Sequence, residues 1–390
     1  MIPYGRQDIS QADIDFVIEV LKSDFLTQGP LVERFEEAVA SYCGAPLAVA
    51  MNSATSALHV ACLALGLGPG DTLWTSPTTF VASANCGLYC GASVDFVDID
   101  PTTYNMSVDR LAEKLAEAER LGTLPKVVVP VHLTGQPCDM PAIKGLSDRY
   151  GFRIIEDASH AVGARYRSGA DSEFTPVGDC RFSDITVFSF HPVKIVTTGE
   201  GGMALTRDPV LADRVQRFRS HGITSDRGQM VPTPDGEIWN YQQILLGYNY
   251  RLTDIQAALG ISQMSRIDDF IRQRHKIADR YDREFANLSI TTPWQSPDIY
   301  SSYHLYVIRV GGQGRTQREL YDGLQAAGVN ANLHYIPVYR QPYFQKMGFE
   351  RGYCPEAEAY FTQAVSIPMY PTLTDDEQGR VINVVADMCR

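Results

Sequence analysis

The sequence predicts an α/β protein built on a largely parallel sheet, and two observations support that class. Short runs rich in β-branched residues alternate with helical stretches through the first half of the chain, and the helical stretches repeat apolar residues every three to four positions. Strands that alternate with helices of this length are typical of βαβ units, in which neighbouring strands run parallel. The predicted strands are 47–51, 72–76, 94–99, 126–131, 153–156, 185–190 and 203–206.

Capping signals and apolar stripes place the helices of this first part. Ser10 followed three residues later by Asp13 is typical of a capping box, and an apolar stripe at helical spacing follows it. The other predicted helices are 31–42, 109–120, 142–150 and 209–220.

The last third of the chain predicts a second, smaller α+β domain. We expect a large domain over 1–250 and a small C-terminal domain over 251–390. A polar stretch at 222–241 is either an exposed surface loop or a segment that closes over a site, and the sequence leaves both open. Beyond it the patterns indicate a helical region at 253–286, a strand at 303–310, a helix at 316–327 and a capped final helix that begins at Thr374.

Composition narrows the classes of function. The 390 residues are 44% hydrophobic and 21% charged, which is ordinary for a folded protein and excludes a disordered chain. The net charge of −12, without basic runs, disfavours binding to nucleic acid or to an anionic membrane surface. No apolar run approaches the roughly 18 residues of a membrane span, and no signal peptide is visible, so we expect a cytoplasmic protein. The eight scattered cysteines predict buried thiols, with no metal site.

Three motifs that follow predicted strands carry chemistry. Asp157 ends one strand, Lys194 follows another, and the polar segment 52–58 begins a helix directly after a third. Taken alone, each has an ordinary explanation, as a helix cap, a solvated strand tip and an N-cap. Together they supply a phosphate cradle at a helix N-terminus, a lysine able to form a Schiff base and a carboxylate able to pair with a pyridinium nitrogen. That set is what pyridoxal phosphate chemistry requires.

An ordered series of motifs resembles the DegT/DnrJ/StrS family of pyridoxal-phosphate-dependent nucleotide-sugar aminotransferases, which have the aspartate aminotransferase fold (fold type I). The resemblance covers nearly the whole chain. Within the family, the C4 aminotransferases of pseudaminic acid biosynthesis are most similar, through the box at 52–58, the Ser159–His160 pair and Ser-Phe-His at 189–191. The motifs lie at 26–30, 52–58, 78–82, 156–161, 189–194, 198–202, 247–251, 333–335 and 366–368.

The resemblance implies roles for the cofactor-site residues. Lys194 would bond the cofactor and move the proton, and Asp157 would pair with the pyridine nitrogen. His160 stands where many relatives have glutamine beside the phenolic oxygen, and its tautomer is open at this point. Ala54 replaces a glycine that is common in the family, which is tolerable only where φ is not positive. The resemblance also implies that Phe80 stacks on the pyridine ring and that Ala54, Thr55, Ser56 and Ser189 bind the phosphate. It further implies a homodimer with shared active sites, in which Asn249 of the neighbouring subunit reaches the phosphate.

The resemblance also implies the reaction. An amino group would pass from L-glutamate, through the pyridoxamine phosphate form of the cofactor, to the C4 ketone of a UDP-linked 4-keto-6-deoxy-N-acetylhexosamine. Tyr4 and His334 have an equally good explanation as packed core residues. The implied substrate-binding residues are Tyr4, Leu26, Thr27, Gln28, Gly29, Asn332, Leu333, His334 and Tyr335.

Three other functions remain alternatives. One is an aminotransferase for another keto-sugar, such as GDP-4-keto-6-deoxymannose in perosamine synthesis. A second is the sugar dehydratase branch, which has histidine in place of the lysine; Lys194 argues against it, although His191 is nearby. The third is a regulatory protein that binds pyridoxal phosphate.

Overall fold

Seven strands form the central sheet. The computed structural model describes residues 1–169, 172–234, 237–311 and 315–389. In chain order the strands are β1 (Leu47–Met51), β2 (Thr72–Thr75), β3 (Ser93–Phe96), β4 (Val127–Val129), β5 (Arg153–Asp157), β6 (Arg165–Tyr166), β7 (Thr175–Pro176), β8 (Ile185–Ser189), β9 (Gly202–Thr206), β10 (Ile223–Thr224), β11 (Gln242–Gln243), β12 (Ile290–Thr291), β13 (Ile299–Tyr300), β14 (Tyr306–Val310) and β15 (Ala364–Ile367).

The central sheet confirms the predicted α/β class. Its strand order is β1-β9-β8-β5-β4-β2-β3. The pairs from β8 to β3 are parallel, whereas β9 is antiparallel to both of its neighbours. The mostly parallel seven-stranded sheet therefore has the carboxyl ends of β5 and β8 side by side, the edge at which α/β proteins place ligand groups.

The helices match the predicted periodicity. The capping box at Ser10 is present, since the Ser10 hydroxyl accepts the Asp13 amide and the Asp13 carboxylate accepts the Ser10 amide. In chain order the helices are α1 (Gln11–Leu21), α2 (Pro30–Cys43), α3 (Ala54–Ala64), α4 (Ala82–Tyr89), α5 (Val108–Leu121), α6 (Met140–Tyr150), α7 (Pro209–Arg219), α8 (Asp254–Met264), α9 (Ile267–Phe285), α10 (Gln317–Ala326), α11 (Pro342–Gln345), α12 (Pro355–Phe361) and α13 (Asp375–Cys389), with short 3₁₀ turns at Leu133–Gly135 and Val338–Arg340.

The structure corrects two element boundaries. The helical region predicted at 253–286 is two helices, α8 and α9, because Arg266 between them leaves the helical conformation (φ −112°, ψ 4°). The guanidinium of Arg266 donates to the carboxylates of Asp8 and Asp13 near the N-terminus. The strand predicted at 303–310 begins only at Tyr306, since the preceding residues bond to other parts of the molecule.

Three apolar cores organise the fold. One lies on the face of the central sheet that packs against α2, α5, α6 and α8, and another lies on the opposite face with α3, α4 and α7. The third joins α9, α10 and α13 to the antiparallel sheet β12-β14-β15, which is the α+β layer predicted for the C-terminal part. Residues 252–271 contribute to the first core, and the domain boundary at 250/251 stays a prediction.

The eight cysteines are free thiols, and all except the partly exposed Cys90 are buried, as predicted. No helix in the described part of the chain is long and apolar enough to cross a membrane. In the same residues, no group of three or more His, Cys, Asp or Glu side chains could hold a metal ion.

Candidate active site

A cavity of about 670 Å³ opens at the carboxyl ends of β5 and β8, beside the N-terminus of α3. Residues from the C-terminal part of the chain cover its other side. Most of the predicted site residues line it together: Tyr4, Ala54, Thr55, Phe80, Asp157, His160, Ser189, Lys194, Asn332, Leu333, His334 and Tyr335. The three strand-end motifs of the sequence therefore meet in one place.

Six of the predicted residues do not line this cavity. Ser56 is committed to its own helix, because its amide donates to the Ser53 hydroxyl and its hydroxyl donates to the Asn52 side chain at 2.6 Å. The others are on the surface, with Gly29 held by the buried Asp254, whose carboxylate accepts the Gly29 amide at 2.8 Å. The roles of these six residues stay predictions: Leu26, Thr27, Gln28, Gly29, Ser56 and Asn249.

The polar stretch predicted at 222–241 is largely exposed. Its described residues do not line the cavity, and residues 235–236 lie outside the described part of the chain. The stretch begins at the short strand β10, which pairs with β11 to form a hairpin on the surface.

The N-terminus of α3 forms an anion cradle. The side chain of Ser53 caps the helix at Ser56, so the amides of Ala54 and Thr55 are the first-turn donors left at the cavity wall. Ala54 is the first residue of the helix and has no positive φ, which meets the condition that the sequence set for an alanine there. The adjacent Gly202 is required by close approach, since a Cβ there would lie 2.4 Å from the Ala54 nitrogen.

Lys194 lies on the loop after β8 and faces the cavity. Burial lowers the pKa of Lys194 to about 8, and the negative charge of Asp157 opposes that shift. Because a pKa near 8 leaves about a tenth of the side chain neutral at pH 7, Lys194 can act as both nucleophile and base.

Asp157 ends β5, and two donors fix the orientation of its buried carboxylate. The Ser83 hydroxyl donates to Oδ2 at 2.6 Å, and the Ser159 amide donates to Oδ1 at 3.1 Å. The Thr79 and Ser83 hydroxyls are themselves hydrogen-bonded at 2.8 Å. Ser83 was not predicted as a site residue, although the hydroxyl pair four residues apart at the start of α4 is a signal that could have revealed it.

The neighbouring acid, Glu156, is structural. Successive side chains of a strand point to opposite faces, and Glu156 is buried away from the cavity. It accepts hydrogen bonds from His132 Nε2 at 2.8 Å and from the Thr186 hydroxyl at 3.1 Å. Of the two acids at the end of the strand, only Asp157 is available for chemistry in the cavity.

The surroundings of His160 determine its tautomer. The amide of Thr134 donates to Nδ1 at 3.3 Å, so the proton of the neutral ring is on Nε2, which lies 3.2 Å from the Tyr335 hydroxyl. Burial, together with the charge of Lys194, holds the pKa of His160 well below its ordinary value. His160 is therefore a neutral hydrogen-bond donor at the cavity wall.

His334 lines the cavity but is also a satisfied core histidine. Its Nδ1 is 2.8 Å from the Ser366 hydroxyl, and its Nε2 is 3.4 Å from the Asn332 amide nitrogen. Burial lowers the pKa of His334 to about 3, so the ring is neutral. Tyr4 packs near it, with the ring centroids 5.5 Å apart. His334 is thus a satisfied core histidine that also lines the cavity, and its role in binding the substrate stays a prediction.

The donor set of the cavity fits pyridoxal phosphate. The phosphate would meet the amides at the start of α3, against whose backbone Gly202 packs closely because it has no Cβ. The ring of Phe80, 58% exposed in this chain although it lines the cavity, offers an aromatic face on which the pyridine can stack. Asp157, His160 and Lys194 would supply partners for the ring nitrogen, the phenolic oxygen and the carbonyl carbon respectively. The fold and this site define a pyridoxal-phosphate-dependent enzyme.

Comparison with known proteins agrees with that class. Residues 7–386 match the DegT/DnrJ/EryC1/StrS aminotransferase family. The chain is 37% identical to the spore coat polysaccharide biosynthesis protein SpsC of Bacillus subtilis, with 100% of this chain and 97% of SpsC covered. It is 37% identical to the UDP-4-amino-4,6-dideoxy-N-acetyl-beta-L-altrosamine transaminase of Campylobacter jejuni (95% and 93% covered) and 33% identical to the GDP-perosamine synthase of Caulobacter vibrioides (94% and 93% covered).

Solved structures show the same fold. The putative sugar aminotransferase Spr1654 of Streptococcus pneumoniae in its PMP form superimposes with a TM-score of 0.88 at 30% identity, covering 100% of this chain and 99% of that one. The aminotransferase PseC of Helicobacter pylori, involved in the biosynthesis of pseudoaminic acid, gives 0.87 at 29% identity (100% and 99% covered). The chain belongs to the DegT/DnrJ/EryC1/StrS aminotransferase family. Its activity is that of a pyridoxal-phosphate-dependent nucleotide-sugar aminotransferase.

Proposed function

We propose that this enzyme transfers the amino group of L-glutamate to the C4 ketone of a UDP-linked 4-keto-6-deoxy-N-acetylhexosamine, giving the 4-amino sugar nucleotide used in pseudaminic acid biosynthesis. The observation that carries the transamination is the meeting of Lys194, Asp157 and His160 beside the cradle of α3. The substrate is supported by the 37% identity to the altrosamine transaminase, together with the likeness to PseC.

The chain's own residues divide the chemical work. Bound pyridoxal phosphate supplies an electrophilic carbonyl carbon and an electron-withdrawing ring. Lys194, about a tenth neutral at pH 7 with a pKa of about 8, takes up a proton at Nζ and returns it. Asp157, whose carboxylate accepts a hydrogen bond from the Ser83 hydroxyl, would accept another from the protonated ring nitrogen. His160 would offer its Nε2–H to the phenolic oxygen in place of its present partner, the Tyr335 hydroxyl.

A second candidate substrate is supported by one of the relatives. The 33% identity to GDP-perosamine synthase supports an alternative in which the acceptor is GDP-4-keto-6-deoxymannose. The two substrates differ in the nucleotide base and in the N-acetyl group, and both carry the ketone at C4.

We also propose that the active sites are shared within a homodimer. Apolar side chains in the segment that precedes Asn249 in the sequence are exposed in the single chain, with Ile238 87% and Leu246 77% exposed. Exposed apolar groups of this kind favour burial against a second copy. Mixing Lys194→Ala with Asn249→Ala protein tests this: hybrid dimers contain one intact site if Asn249 acts across the interface, so activity recovers on mixing. Activity that stays absent after subunit exchange would contradict shared sites.

The cytoplasm is the proposed location of the reaction. All eight cysteines are free thiols, which suits a reducing compartment.

The substrate experiment is a single-turnover screen. Protein converted to the pyridoxamine phosphate form is mixed with each candidate UDP- and GDP-linked 4-keto sugar, and the amino sugar product is measured by mass spectrometry. We expect the UDP-N-acetyl substrate to give stoichiometric product, with Lys194→Ala giving none. Product from the GDP sugar alone would establish the second candidate, and product from no 4-keto sugar would contradict the proposal.

A further inference from the structure

Residues 301–305 form a strap that crosses the wall of the cavity and fixes the backbone of His304. The Ser302 amide donates to the Gly135 carbonyl at 3.0 Å, and the Ser302 hydroxyl donates to the His160 carbonyl at 2.8 Å. Gly135 leaves room for this approach, since a Cβ there would lie 2.4 Å from the Ser302 hydroxyl oxygen. The strap is thus bonded directly to the residue that carries the neutral imidazole of the site.

Arg274 holds the strap from the other side. Its guanidinium Nη1, fully buried, donates to the carbonyls of Tyr303 at 3.0 Å, His304 at 3.2 Å and Met369 at 3.0 Å. Tyr303 has a φ of 45°, in the left-handed region that L side chains rarely adopt. Bonds on both sides therefore hold the backbone from which the His304 side chain projects.

The ring of His304 is 4% exposed, lines the cavity and packs on His160 with the ring centroids 4.4 Å apart. Neither ring nitrogen has a hydrogen-bond partner among the described residues; Nδ1 is enclosed, whereas Nε2 keeps access to the cavity. Because buried N–H groups without an acceptor are rarer than unpaired acceptors, the proton belongs on Nε2. Burial and the nearby His160 and Lys194 hold the pKa of His304 well below its ordinary value, which keeps the ring neutral.

The described wall of the cavity has little positive charge to offer an anionic ligand. Of the described residues that line it, Lys194 is the only lysine or arginine. The other imidazoles in the pocket wall that are buried, His160 and His334, already have protein partners at both nitrogens. An unpartnered Nε2–H beside His160 is therefore a prepared donor for an anionic ligand oxygen.

We propose that His304 is a ligand-binding residue whose Nε2–H donates a hydrogen bond to an anionic oxygen of a bound ligand. Two oxygens have this chemistry: the phenolic oxygen of the cofactor and the α-carboxylate of the amino donor. A bond to the α-carboxylate rests on the proposed amino donor, L-glutamate, whereas a bond to the phenolic oxygen of the cofactor does not.

The test replaces the ring and keeps its volume. His304→Phe removes both nitrogens, and His304→Gln retains an amide donor near the position of Nε2. His59→Phe is the matched control, since His59 is also 4% exposed with an unpartnered Nε2 but lies outside the cavity wall. Each protein, stripped of cofactor, is titrated with pyridoxal phosphate and with 3-deoxypyridoxal phosphate, which lacks the phenolic oxygen. The reloaded protein is then titrated with L-glutamate.

If His304 bonds the phenolic oxygen, His304→Phe should bind pyridoxal phosphate about tenfold more weakly than the wild-type protein does. Both proteins should then bind the deoxy analogue equally well. If His304 instead bonds the carboxylate of the amino donor, His304→Phe should bind both cofactors with unchanged affinity. Its half-saturating glutamate concentration should rise by about tenfold. In either case His304→Gln recovers part of the loss. Equal losses for both cofactors, the same losses in His59→Phe, or no loss for any ligand would overturn the proposal.

Two further readouts separate the possible failures. If wild-type protein binds the cofactor but does not respond to glutamate, the proposed donor is wrong and the cofactor titration alone decides the role of His304. If His304→Phe does not fold, wild-type protein carrying ¹⁵N-histidine gives the answer, with the His304 resonance identified by its loss in His304→Gln. Ligand binding then shifts the His304 Nε2–H resonance, and an unshifted resonance overturns the proposal.

Discussion

Replacing Lys194 by methionine should stabilise the cofactor-free protein at pH 7. The pKa of Lys194 is about 8 in the folded chain and ordinarily 10.5. The charged ammonium form is therefore less stable in the folded chain than in the unfolded chain. That difference is worth roughly 3 kcal/mol at 1.36 kcal/mol per unit of pKa. Because one side of Lys194 faces the open cavity, water solvates the charge and the effect falls to about 1–2 kcal/mol. For a chain of 390 residues we expect the unfolding midpoint to rise by about 1–3 °C.

The stability that Lys194→Met gains should depend on pH, in a direction that follows from the lowered pKa of Lys194. The unfolded chain binds more protons than the folded chain between pH 8 and pH 10.5, so the penalty from Lys194 is fully present below pH 8 and disappears as the pH rises through that window. Differential scanning fluorimetry at pH 7 and at pH 10 should therefore show the gain of Lys194→Met shrinking. Lys144→Met, which removes an exposed lysine paired with Asp148, is the control for loss of charge. A gain of equal size at both pH values, or a loss at pH 7, would refute a desolvated lysine.

Three other substitutions probe the site, each with its own measurement. Gly202→Ala should raise the dissociation constant of pyridoxal phosphate more than tenfold, because the new Cβ would lie 2.4 Å from a backbone nitrogen at the start of α3; Gly145→Ala, with nothing within 4 Å, should leave it unchanged. Ser83→Ala removes the 2.6 Å bond to Asp157 and should lower kcat about tenfold with the cofactor still bound; unaltered kcat would mean that the bond does not orient the carboxylate. Phe80→Ala should release the cofactor about tenfold more readily on dialysis, and unchanged retention would exclude stacking.

The sequence predicted the elements that local chemistry determines. The seven strands of the central sheet have β-branched runs, and the capping boxes of Ser10 and Thr374 are present because the cap and its partner are three residues apart. The helix break at Arg266 was not predicted from the sequence. The hydrogen bonds that the Arg266 guanidinium makes there join it to acids about 250 residues earlier in the chain, which a local pattern does not indicate.

The residues of the active site likewise fall into two groups, those that a local sequence pattern indicated and those that depend on distant contacts. Lys194 and Asp157 lie at strand ends, where a parallel sheet brings ligand groups together, and the structure places both in one cavity. The tautomer of His160 and the free nitrogen of His304 depend on the strap at 301–305 and on the turn at Thr134. Those contacts are made between distant segments, so no pattern in the sequence could indicate them.

The central claim is that Lys194 and its neighbours carry transamination with glutamate as donor. The most direct measurement is the absorption spectrum of the purified enzyme loaded with pyridoxal phosphate, recorded before and after L-glutamate is added. We predict that the visible band of the bound cofactor disappears as the pyridoxamine phosphate band grows, with 2-oxoglutarate released in equal amount, and that Lys194→Ala shows no such conversion. A band that ignores glutamate, or wild-type protein that develops no band, would contradict the claim.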